Sequence, residues 1–129
     1  MKSNPVVHFE MPAKNRKRVI DFYSDVFGWN MQQLGTDMSN YILAGTTEVD
    51  KNGMAKTPGA INGGFYETKR KEAPHLVISV DNLEKHMKVV KKAGGKILDK
   101  PMDIPGIGMF VTMKDTEGNK IGMLQPVQM

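Results

Sequence analysis

The sequence predicts an α+β fold built from two β-α-β-β-β modules, and three observations predict it. At 75–95 an apolar, β-branched run passes almost without a loop into an amphipathic helix that ends on two glycines. The same order recurs at 5–66, and in both halves the helix is followed by three short apolar runs. The halves share an order of elements and little residue identity, which in a chain of 129 residues is the mark of an internal duplication. The expected organisation is one domain over 1–129, with module one at 5–66, a linker at 67–74 and module two at 75–125.

Module one opens with a strand over 5–11. Alternation sends Val7, Phe9 and Met11 to one face, under the first helix, and His8 and Glu10 to the other. Burying two ionisable groups unpaired would cost several kcal/mol, so that face needs an aqueous cavity or a partner; an edge strand with both side chains wet satisfies the same pattern. Asn15 can cap a helix whose stripe is Val19, Phe22, Tyr23, Val26 and Phe27, stopped by Gly28. Runs at 29–34, 40–44 and 60–66 supply the remaining strands.

Residues 45–59 form the one long irregular segment, a candidate binding loop or lid, or a passive surface insertion. Asn52-Gly53 can turn a small hairpin inside it. Gly63-Gly64 inside a strand costs stability unless it permits a bulge or the close approach of a neighbour or ligand. Alternation places Asn62, Gly64 and Tyr66 on one face, where the glycine leaves room between two hydrogen-bonding groups; alternatively the Tyr66 ring merely packs. The spacing is no dinucleotide or phosphate-loop fingerprint, because no helix follows.

Module two begins with a strand over 75–80. Asp81 with Glu84 three places on fits a capping box. Leu83, Met87 and Val90 make the apolar face of the second helix, Lys85, Lys88 and Lys92 its wet face, and Gly94-Gly95 its end. A strand over 96–98, a loop over 101–106 and strands over 108–113 and 119–125 complete the module. Asp115-Thr116-Glu117-Gly118-Asn119 reads as a hairpin turn with Gly118 at positive φ.

Composition narrows the function. There is no cysteine, hence no disulfide and no thiolate nucleophile, which suits a reducing cytosol. No run approaches the roughly 20 apolar residues of a membrane span and no secretion signal follows Lys2, so a cytoplasmic location is expected. The net charge is +4, with bases clustered at Lys14-Asn15-Arg16-Lys17-Arg18, at Lys69-Arg70-Lys71 and along the second helix. No nucleic-acid motif or aromatic stacking pattern accompanies them, so a nucleic-acid partner is not expected, while a small anionic ligand is compatible. The eleven methionines fall mostly at core periodicity, as gap-fillers.

His8 followed by Asp21-Phe22-Tyr23 and Phe27-Gly28-Trp29, then His75-Leu76-Val77-Ile78-Ser79-Val80-Asp81-Asn82 and the ending 115–124, resembles the glyoxalase/bleomycin-resistance/extradiol-dioxygenase superfamily, the vicinal oxygen chelate proteins. Pro58-Gly59-Ala60-Ile61-Asn62-Gly63-Gly64 is similar to a largely unassigned subgroup related to lactoylglutathione lyase. The resemblance implies curved mixed sheets that form an open cavity, commonly completed by a homodimer partner. In the glyoxalase I branch a histidine or glutamate on the first strand of each module and a carboxylate on the last hold a divalent metal. His8 and His75 match the first-strand positions, but Gly122 stands at the second last-strand position, and Asn62, Gly63 and Gly64 offer no carboxylate at the other.

The missing carboxylates argue against lactoylglutathione lyase activity itself, and no cofactor or tightly held metal is expected. A divalent ion, if bound, would draw on His8, His75 and Glu10, with Glu10 about 6.6 Å along the strand from His8. The leading expectation is a glyoxalase-like protein that binds a small molecule in a pocket of His8, Glu10, Asn62, Gly64, Tyr66, His75 and Gly122, with 45–59 as a cover and no residue assigned a catalytic role. A metal-dependent lyase, isomerase or dioxygenase, and a structural or interaction domain, are the alternatives.

Overall fold

Asn15 decides where the first helix begins. Its side chain accepts the Arg18 N–H at 2.9 Å, and α1 (Arg16–Phe27) runs from there to Gly28, which adopts φ 68° and returns its N–H to the Ser24 carbonyl at 3.1 Å. Before it lies β1 (Val6–Ala13); after it come β2 (Asn30–Gln33), a short 3-10 turn at Thr36–Met38, β3 (Ile42–Gly45) and β4 (Gly63–Glu67). The computed structural model describes residues 2–51 and 55–127. The chain divides into two units, one of His8–Pro74 and one of His75–Met129 with Met1–Val7.

In the first unit the strands lie in the order β2-β3-β4-β1. β2 and β3 pair antiparallel, as do β3 and β4, while β1 and β4 run parallel, with Glu10 opposite Gly64 and Pro12 opposite Tyr66. The core gathers on the α1 side, where Ala13, Ile42, Ala44 and Phe65 are buried against Phe9, Met11, Val19, Ile20, Tyr23, Trp29 and Met31. Burial of Phe65, 1% exposed, contributes about 1.5–3 kcal/mol.

The stripe read from the sequence is only partly the buried face of α1. Val19 and Tyr23 face the sheet, and Ile20 joins them, whereas Phe22, Val26 and Phe27 are each more than half exposed. The Phe22 and Phe27 rings lie at the margin of the aromatic group: Phe22 meets Tyr23 edge-on at 5.1 Å and Phe27 lies 5.9 Å from Trp29. Phe9 and Met11 point into the core as alternation requires, but Val7 is 41% exposed.

The second unit contains β5 (His75–Ser79), α2 (Leu83–Lys92), β6 (Lys96–Ile97), β7 (Met102–Ile104), β8 (Gly108–Lys114) and β9 (Lys120–Pro126). Its order is β5-β9-β8-β6, with β7 also on β8 and β5 parallel to β9. Val80, Leu83, Val111 and Met123 form the core under α2, with Met87, Val90, Ile97, Met109 and Met113 packed around them.

Two details differ from the sequence reading. The helix cap is Asn82, whose side chain accepts the Lys85 N–H at 3.0 Å; Asp81 pairs with Lys2 at 3.1 Å, and Gln125 Oε1 takes the Leu83 N–H at 2.8 Å. The expected loop at 101–106 contains β7, a strand too short for periodicity to reveal and formed by its pairing with Gly108–Phe110. The hairpin turn stands as expected. Gly118 has φ 86°, and Asp115 Oδ1 accepts the N–H groups of Glu117 and Asn119 at 2.8 and 2.9 Å.

In the 45–59 segment Val49 bridges Ala55, and the Lys56 N–H reaches the Glu48 carbonyl at 2.9 Å. The Asn52-Gly53 turn lies outside the described residues.

Candidate functional site

The face of the first unit's sheet turned away from α1 carries its polar side chains. β1 sends His8, Glu10 and Pro12 there, because Phe9, Met11 and Ala13 belong to the core. Tyr41 arrives by the same rule: Ile42 and Ala44 go to the core, so Tyr41 and Leu43 turn to the opposite side.

There the Tyr41 hydroxyl donates to Glu10 Oε2 at 2.8 Å and lies 3.0 Å from His8 Nε2, while His8 Nε2 is 3.5 Å from Glu10 Oε1. The phenol has one proton. With that proton given to Glu10, His8 completes the network as an Nε2–H donor to the Tyr41 oxygen, a tautomer assigned from the hydrogen bonds. Burial first, then the charge of Glu10, push the Tyr41 hydroxyl far above the ordinary phenol range, so it stays a protonated donor. The His8 side chain is 28% accessible and that of Glu10 14%, enough for a ligand atom to reach either.

Gly64 makes this arrangement possible, since a Cβ at that position would collide with the Tyr41 hydroxyl and ring. Of the close approaches its sequence allowed, the one present is a neighbour's. Gly63 serves the other face, where a Cβ would meet the Phe9 ring at 2.5 Å. Asn62 precedes β4, and its Oδ1 accepts Thr46 N–H at 2.8 Å and Thr47 N–H at 3.2 Å while the Thr46 hydroxyl donates to the Ile61 carbonyl at 2.8 Å, so it anchors the start of the 45–59 segment. The Tyr66 hydroxyl donates to Glu72 Oε1 at 2.9 Å. Burial and then that bond push it well above the phenol range.

The other two expected pocket residues belong to the second unit. His75 opens β5 and is buried, 7% exposed. Gly122 lies opposite Val77 in β9, where a Cβ would stand 2.7 Å from the Phe110 ring and 3.1 Å from Val77.

Sequence reasoning missed Tyr41 and Glu72. Tyr41 left a signal, because alternation with Ile42 and Ala44 puts it on the face of His8 and Glu10 and the glycine at 64 calls for a bulky neighbour. Glu72 left none, sitting in a charged linker without period.

The donor set does not fit the metal centre that the resemblance implies. Glu10 and His8 are both turned on to the Tyr41 hydroxyl, and a carboxylate at 122 would have to displace Phe110 and Val77. Among the described residues no three His, Cys, Asp or Glu side chains gather as a metal site requires.

The sequence model of the Glyoxalase/Bleomycin resistance protein/Dioxygenase superfamily matches residues 6–123. The chain belongs to this superfamily. A glyoxylase-like domain-containing protein of Didymella fabae is 32% identical over 116 residues, covering 85% of this chain and 84% of the relative. Among solved structures, a hypothetical protein from Bacillus halodurans C-125 superposes with a TM-score of 0.69 at 14% identity, over 99% of this chain and 98% of the other. A variant of the Streptomyces coelicolor methylmalonyl-CoA epimerase in complex with 2-nitronate-propionyl-CoA gives a TM-score of 0.69 at 11% identity, over 98% and 100%. At such identities the likeness establishes the fold, the paired β-α-β-β-β arrangement of mixed sheets typical of the superfamily. No helix among the described residues is long and apolar enough to cross a membrane.

Proposed function

We propose that this superfamily member binds a small polar molecule on the module-one sheet face, through His8, Glu10, Tyr41 and Tyr66, and that it is not a lactoylglutathione lyase. The observation that carries the reading is the Tyr41 hydroxyl held between Glu10 Oε2 and His8 Nε2. Polar groups collected on an otherwise apolar strand face are costly unless satisfied, and here a carboxylate, an imidazole and a phenol satisfy one another while the first two stay partly accessible. Such a cluster offers a ligand both acceptors and donors: Glu10 has lone pairs beyond the one used by Tyr41, and His8 in the assigned tautomer keeps an acceptor at Nδ1. The 45–59 segment, anchored by Asn62, is the cover in this reading.

Calorimetric titration of a metabolite panel tests it. Ligands should be found whose affinity falls at least tenfold in Tyr41→Phe and Glu10→Gln. Hydrogen-exchange protection confined to the outer helices on ligand addition would move the site elsewhere. By the same reading the protein is a cytoplasmic homodimer; a light-scattering mass near 14.4 kDa would leave it a monomer. Tag-free protein as isolated should carry well under one equivalent of zinc, nickel, manganese or iron by elemental analysis. One equivalent, lost in both His8→Ala and Glu10→Ala, would restore a metal-dependent enzyme.

A further inference from the structure

Two basic runs, far apart in sequence, come together at the end of the first unit's sheet. β1 and β4 are parallel and in register at Pro12–Tyr66 and Ala13–Glu67, so Lys14 leaves one strand beside the place where 68–72 leaves the other. The Thr68 N–H donates to the Ala13 carbonyl at 2.9 Å, and Thr68 Oγ1 accepts the Arg70 N–H at 3.2 Å, which folds the segment back over the strand ends. Between them lies a pocket of about 120 Å³ lined by Pro12, Lys14, Thr68, Arg70, Lys71 and Glu72.

Its size and charge select a small anion. At roughly 30 Å³ per water, the space holds on the order of four waters, matching a tetrahedral oxyanion rather than a drug-sized body. Lys14, Arg70 and Lys71 enter none of the ion pairs among the described residues, whereas the neighbouring Arg16 is committed to Glu67 at 3.0 Å and Lys17 to Asp21 at 2.8 Å. Glu72 is a lining carboxylate, but its oxygens accept the hydroxyls of Tyr66 at 2.9 Å and Thr68 at 3.3 Å. Three cationic residues and one engaged carboxylate thus contribute to the lining.

The pocket is also placed to serve the polar face. Pro12 shares that face with His8 and Glu10 and lies two residues beyond Glu10, roughly 7 Å along the strand. We propose that this strand-end pocket holds the phosphate group of the ligand, which makes that ligand a small phosphate ester about three carbons long. The ester assignment rests on the reading of the His8–Glu10–Tyr41 face given above; the anion pocket does not.

NMR titration of the full chain with inorganic phosphate and with glycerol 3-phosphate, against chloride at matched ionic strength, tests both parts separately. Phosphate should shift the amides of Ala13, Lys14, Thr68 and Arg70 saturably. The double variant Arg70→Gln/Lys71→Gln, at exposed positions and checked for folding by circular dichroism, should weaken that response at least tenfold, and Glu72→Gln should strengthen it. Glycerol 3-phosphate should bind about tenfold more tightly than phosphate, and Tyr41→Phe should remove the gain while leaving phosphate binding unchanged. Shifts spread over the α2 lysines, or a response indifferent to the double variant, would overturn the pocket. Equal affinity for phosphate and ester, indifferent to Tyr41→Phe, would keep the pocket and overturn the ester assignment.

Discussion

Gly64 and Gly122 occupy matching places, each in the last strand of its unit and each parallel to that unit's first strand. Both are glycine because a larger neighbour fills the space a Cβ would need. At Gly64 that neighbour is the Tyr41 hydroxyl, joined to Glu10 and His8; at Gly122 it is the ring of Phe110 with Val77 beside it. One missing side chain thus makes room for a polar cluster in the first unit and for hydrocarbon packing in the second. A strand glycine in this fold marks where something approaches closely, and only the identity of the approaching group separates a chemical site from a structural one.

The largest expected effect is from Gly122→Glu. Overpacking alone costs about 1–3 kcal/mol, and an unpaired buried carboxylate adds more, so urea denaturation should show a loss above about 3 kcal/mol. A variant as stable as the parent would mean that the position is open, and the contrast with Gly64 would disappear.

Gly64→Ala and Gly122→Ala sharpen the comparison. Each should cost roughly 1–3 kcal/mol, since a ring must move in both. Only Gly64→Ala should also abolish ligand binding, by displacing Tyr41 from between Glu10 and His8. Equal binding losses would show that the two faces are not functionally distinct.

Tyr41→Phe keeps the ring and deletes the donor, which should cost about 1–3 kcal/mol because Glu10 is left short of a partner. Phe110→Leu, its counterpart in the second unit, should lower stability without changing ligand affinity.

The smallest effect concerns pH. Tyr41 and Tyr66 have folded-state pKa values raised above the ordinary 10.0, so below that pH both states hold the proton and the full stability is present. As pH rises past 10.0 the unfolded chain loses protons that the folded one keeps, and stability falls. Thermal melts from pH 9 to 11 should show a decline that is shallower in Tyr41→Phe than in the parent, and identical slopes would remove Tyr41 from the account.

Much of the fold was legible in the residues themselves. Asn15 and Gly28 bound α1, Gly94 closes α2 with φ 100°, and Gly118 turns the last hairpin, because caps and positive-φ positions are chosen by local chemistry. Alternation put His8 and Glu10 on one face of β1, and their side chains do meet, at 3.5 Å. Local signals do not rank competing partners, however. Asp81 and Asn82 are both good caps, and the choice of Asn82 goes with Asp81 being taken up by Lys2. Likewise Phe22, Val26 and Phe27 satisfy helical periodicity, yet the sheet lies under Val19, Ile20 and Tyr23.

By itself, then, the sequence determined the order of the two helices and of every strand but β7, the bounds of α1 and the faces on which polar side chains emerge, since each depends on residues within a few positions of one another. Tertiary structure alone decided that Tyr41 fills the space beside Gly64, that Glu72 takes the Tyr66 hydroxyl, and that Lys14 stands with Arg70 and Lys71 at one strand end. The first and last of those pairings join segments distant in the chain, where the register of a ladder is set by the whole buried face rather than by any local pattern, while Glu72 reaches back to Tyr66 from a linker without periodicity.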